Sequence, residues 1–78
     1  MDNHTLTIEK DKQILHFEVA DYMHHDHERC KFEVFQDGQF VVGFEPDENQ
    51  YLHICKNPEV LDEELIYLIA DKIETMNL

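Results

Sequence analysis

Apolar and polar residues alternate along residues 5–55, and beyond Pro58 the apolar positions recur at a spacing near 3.6. The first period is that of a half-buried β-strand and the second that of an amphipathic helix. Residues that oppose each other across a hairpin share a face, so each turn can be tested by the face to which it sends the apolar side chains. A turn centred on Asp11-Lys12 gathers Leu6, Ile8, Leu15, Phe17 and Val19 on one side.

Gly38 marks the next firm turn. A three-residue loop over 36–38, closed by a left-handed glycine, places Phe35 opposite Gln39, Val34 opposite Phe40, Phe32 opposite Val42 and Cys30 opposite Phe44. A two-residue Asp37-Gly38 turn would split Phe32 and Val34 from Phe40, Val42 and Phe44, so burial favours the longer loop. A turn between His25 and Asp26 pairs Val19 with Phe32 and Phe17 with Val34. A loop around 45–51, punctuated by Pro46, sets Leu52 opposite Phe44 and Ile54 opposite Val42. Four turns agree on one inner face, the mutual consistency expected of a five-strand antiparallel meander.

The remaining segment predicts a helix. Asn57 is placed to cap it, Pro58 suits its first position and Glu59 suits the positive end of its dipole. Leu61, Leu65, Leu68, Ile69, Ile73 and Met76 form one stripe, with Glu63, Tyr67, Asp71 and Glu74 opposite. About 18–20 residues would run roughly 30 Å across the sheet. The expected fold is α+β and two-layered, β-β-β-β-β-α, with one C-terminal helix on one sheet face and residues 1–78 as a single small domain.

Charge narrows the choice of partners. Eighteen acidic residues against six basic ones give a net charge of −12. Such a chain repels the phosphate backbone, which excludes nucleic acid as a partner, and it is repelled by anionic membranes. It is suited to a basic protein, or to mimicking the charge of nucleic acid. No apolar run approaches the ~20 residues of a membrane span, and the N-terminal residues lack the apolar core of a signal peptide. The expected location is the cytoplasm, where Cys30 and Cys55 would stay as thiols.

Chemistry concentrates in Tyr-Met-His-His-Asp-His-Glu-Arg-Cys, residues 22–30. Across a two-residue turn, His24 and His27 face each other with Cβ atoms ~5 Å apart. They form a speculative divalent-metal pair, with Asp26, Glu28 or Cys30 as further donors. The inward position expected of Cys30 keeps it from completing such a site, and the spacing matches no familiar zinc motif. The same histidines, beside Asp26 and Glu28, also suit a pH-responsive module. No cofactor motif is present.

An enzyme is not expected. The chain has no serine, and its three threonines lie in the first strand and last turn. A nucleophile needs an adjacent base, and Cys55 and His53, two apart on one strand, sit ~7 Å from each other. Glu18, expected opposite Glu33 on the outer face, has no pocket. Phe35, Val41, Tyr51, His53 and Cys55 are expected on that face, with Val41 opposing Cys55 and Gly43 opposing His53. A moderate apolar cluster rimmed by charge is the arrangement of an interaction site. The sequence therefore favours a small non-enzymatic binding or accessory module, acting on a protein partner or as a homodimer.

Overall fold

A computed structural model describes residues 2–22, 30–49 and 51–76. Five strands, β1 (Asp2–Lys10), β2 (Gln13–Asp21), β3 (Phe32–Gln36), β4 (Gln39–Pro46) and β5 (Leu52–Lys56), precede one helix, α1 (Glu63–Thr75). The strands form one antiparallel sheet in chain order. The expected β-β-β-β-β-α meander is the fold of the protein.

The β1–β2 hairpin has the register expected from its pattern, with Leu6 opposite Phe17 and Ile8 opposite Leu15. Its two turn residues, Asp11 and Lys12, both have positive φ, 52° and 65°. That backbone matches the twist of the flanking strands, which is why tight hairpins adopt it even without glycine.

The other three registers differ from expectation, each by two residues along most of the pairing. Val19 faces Val34 and Asp21 faces Phe32. Val34 faces Val42 and Phe32 faces Phe44, while Phe44 faces Ile54 and Pro46 faces Leu52. A shift of two preserves which side chains point inward, so burial holds while the partners change. At the β3–β4 hairpin the turn is the two-residue Asp37-Gly38 form, with φ of 53° and 81° and Phe35 opposite Phe40. A bulge then leaves Val41 unmatched between the pairs Phe35–Phe40 and Val34–Val42. One extra residue restores the inward phase of Val42 and Phe44 that the short turn alone would have lost.

The inner face and the helix share one core, built from Leu6, Ile8, Phe17, Val19, Phe32, Val34, Val41, Val42 and Phe44 with Ile66, Ile69, Ala70 and Ile73. Leu61, Leu65, Leu68 and Met76 pack at its margin, half-buried. The buried stripe therefore includes Ile66 and Ala70 and is rotated away from the one expected.

The helix begins later than expected. Asn57 and Pro58 lie in a turn in which Val60 N–H donates to the Asn57 carbonyl at 3.1 Å. The Asn57 side chain accepts from Leu61 N–H at 3.1 Å, so it caps this turn and not the helix. Val60, at φ 48°, departs from helical backbone, and Asp62 takes the N-cap position. The helix has 13 residues, about 20 Å at its ordinary rise.

An ion pair at one end and a hydrogen bond at the other fix the direction of the helix. At its start, Lys10 Nζ lies 3.1 Å from Asp11 and 3.3 Å from Asp62. Near its end, Leu52 N–H donates to Glu74 Oε2 at 3.0 Å. The helix thus runs diagonally over the inner face, from the end of β1 to the start of β5. The connection from β5 crosses above β4, where Gln39 Nε2 donates to Glu59 Oε1.

Candidate functional site

A diagonal helix cannot cover the whole inner face. Five strands at ~4.8 Å spacing span about 19 Å, whereas a helix with its side chains is about 10 Å across. The uncovered part falls at β5. Leu6 and Ile8 on β1 are 1% and 5% exposed, while Ile54, which pairs with the buried Phe44, is 49% exposed.

The result is a cleft of about 250 Å³ between β5 and α1, lined by Phe44, Leu52, His53, Ile54, Glu63, Ile66, Tyr67 and Ala70. Its walls are chiefly apolar, and Tyr67 stands at its mouth, 68% exposed. Two carboxylates mark the helix on this side: Glu63 lines the cleft and Glu74 holds the start of β5. Among the described residues β5 is an edge strand, with β4 on one side only. The sequence reading missed this cleft because it assumed a longer helix that covered the sheet. The missed signal was Ile54, an inward apolar residue on the last strand that a single short helix leaves uncovered.

The expected interaction face is rearranged. Val41 is 5% exposed and belongs to the core, because the bulge turns it inward. Phe35 keeps its outward place, but its aromatic neighbour is Phe40, with ring centroids 5.8 Å apart. Tyr51 and His53 are exposed, and His53 opposes Glu45 and not Gly43. Glu18 opposes Phe35, and Ala20 opposes Glu33. The Glu18–Glu33 pairing is therefore not formed; instead the Tyr22 hydroxyl donates to Glu33 at 3.0 Å.

Both cysteines depart from expectation. Cys30 and Cys55 form a disulfide, with Cα atoms 6.0 Å apart. Cys30 precedes a bend at Lys31 and is fully buried without joining the inner core. Cys55 is the unmatched residue of a bulge between the pairs Gly43–Lys56 and Phe44–Ile54. A Cβ built on Gly43 would lie 2.5 Å from Cys30 Sγ. The bridge therefore crosses β4 on the outer side, over the one residue there without a side chain. Cys30 does not oppose Phe44, Cys55 does not oppose Val41, and neither is a free thiol.

His24 and His27, the speculative metal pair, lie in residues 23–29, outside the described residues. Of the other histidines, His16 and His53 are exposed and His4 is half-buried opposite Val19, each on a different part of the sheet. No group of three or more His, Cys, Asp or Glu side chains stands together as metal donors among the described residues. No helix among them is long and apolar enough to cross a membrane.

Lys10 gathers the carboxylates of Asp11 and Asp62. The neighbouring Asp11 carboxylate, and after it Asp62, raise the Lys10 pKa above its ordinary value of 10.5. A second cation, Lys31, meets Asp21 and the Tyr22 carbonyl. Comparison with protein-family models, curated proteins and solved structures gives no match.

Proposed function

We propose that this protein is a small non-enzymatic binding module that docks a basic partner protein at the β5–α1 cleft. The observation that carries this reading is the 49% exposure of Ile54 on a face where its counterparts Leu6 and Ile8 are buried. An apolar strip left open inside an otherwise closed core is a surface made to be covered. Sign of charge selects what covers it. At −12 the chain attracts cationic partners over a distance set by ionic strength, and it repels a second copy of itself. A homodimer is accordingly the weaker reading.

The outer face, expected to carry the interaction, now offers less. Val41 has gone to the core and Cys55 to the bridge, leaving Phe35 and Phe40 in a tilted contact with each other. The setting proposed for the module is one that keeps the bridge closed, an oxidising one, in place of the reducing cytoplasm that two free thiols implied.

Fluorescence anisotropy with a labelled lysine-rich polypeptide tests the docking. Binding should weaken as salt is raised, and Ile54→Asp should remove it. A probe that ignores the protein at low salt, or binds the variant equally, overturns the proposal.

A further inference from the structure

We infer that the partner is held by strand addition: an extended segment pairs with the free edge of β5 and sends alternate side chains into the cleft. This rests on the docking function proposed above and fixes how the partner is recognised. The main-chain directions on β5 carry it. The Tyr51 carbonyl accepts from Asp47 N–H at 2.8 Å, on the side of β4. Leu52 N–H points the other way and donates to Glu74 Oε2. Alternation along a strand then sends the N–H and carbonyl of Ile54 to the same free side as those of Leu52. Glu74 occupies one donor at the start of the edge and leaves Ile54 to an incoming strand.

Edge and cleft belong together. A strand laid beside β5 extends the sheet by ~4.8 Å, into the space beside α1. One set of its side chains then faces Ile54 and Tyr67, where the cleft is apolar. Main-chain bonds supply affinity in this mode and the pocket supplies choice of side chain. The occupant is an extended segment with aliphatic residues at alternate positions and Lys or Arg between or beside them. Cations meet Glu63 at the cleft and the −12 charge of the whole chain. A second copy is a poor occupant, since antiparallel β5–β5 pairing brings two such acidic surfaces together.

The test uses the disulfide-intact, isotope-labelled protein and a short peptide alternating lysine and valine, followed by amide NMR. Two companion peptides complete it: the same sequence N-methylated at alternate amides along one edge, and one alternating glutamate and valine. Strand addition predicts shifts at Leu52, Ile54 and Tyr67, a loss of about tenfold or more in affinity on N-methylation, and no binding of the glutamate peptide. Binding in the cleft that is indifferent to N-methylation overturns strand addition while docking at the cleft stands, and binding that maps elsewhere overturns both. Failure of the lysine peptide to bind overturns both. Concentration-dependent shifts at Ile54 without peptide would make a second copy the occupant and overturn the inference.

Discussion

Cys30 and Cys55 are joined over Gly43, so the bridge ties the approach to β3 to the edge strand β5 across the intervening strand. Neither cysteine sits in regular pairing: a bend follows Cys30, and Cys55 is the extra residue of a bulge. The short edge strand that bounds the cleft is thus fastened to the sheet from its outer side, while Glu74 holds its start from the helix.

Closing a separation of 25 residues should stabilise the fold by about 3 kcal/mol, chiefly by restricting the unfolded chain. Urea unfolding with and without a reductant measures this. An unchanged midpoint on reduction contradicts it.

Gly43 should tolerate no side chain while the bridge is closed. A Cβ would meet Cys30 Sγ at 2.5 Å and Cys30 Cβ at 3.0 Å, and the bonded sulfur has little room to move. Gly43→Ala should cost about 1–3 kcal/mol as an overpacked site. Most of that cost should vanish in a Cys30→Ala, Cys55→Ala background, a double-mutant cycle that isolates the contact. Equal cost in both backgrounds would place the constraint elsewhere.

Val60 is a β-branched residue at φ 48°, and it is 81% exposed. Left-handed backbone disfavours it, and little packing is lost on replacement. Val60→Asn should raise stability by about 1 kcal/mol, read as an increase in the thermal midpoint. A fall would show that the side chain packs in a way its exposure conceals.

Lys10 links the β1–β2 turn to the start of α1. Its pKa is raised, above all by Asp11 and then Asp62. A raised pKa stabilises the fold while the ammonium is charged, so the contribution is complete below the unfolded value near 10.5 and is lost as pH rises through the folded one. The stability gap between the natural protein and Lys10→Met should therefore close on alkaline titration. A gap that stays constant with pH would mean that only the aliphatic stem of Lys10 matters.

Face and element were legible in the sequence; partners were not. Alternation placed Leu6, Phe17, Val19, Val34, Val42 and Phe44 inside, and the Asp11-Lys12 turn set the first register correctly. Val34 with Val42, Val19 with Val34 and Phe44 with Ile54 differ from expectation by two residues, the one displacement to which a period-two pattern is blind. The bulge at Val41 added to this, since a short turn plus a bulge gives the same inward phase as the longer loop. The disulfide was illegible for a related reason: it needs the true register, a bend before β3 and a bulge at Cys55, none of which alternation encodes. The cleft followed from helix length, which Pro58 at an apparent N-terminus overstated and the left-handed Val60 corrected.

The central claim places docking at the β5–α1 cleft and not on the outer face. The most direct measurement compares the affinity of the lysine/valine peptide for Ile54→Asp and for Phe35→Asp, each first shown to be folded. Ile54→Asp should lose about tenfold or more in affinity, and Phe35→Asp should bind as the natural protein does. Loss of binding on Phe35→Asp with Ile54→Asp unaffected would contradict the account and return the site to the outer face.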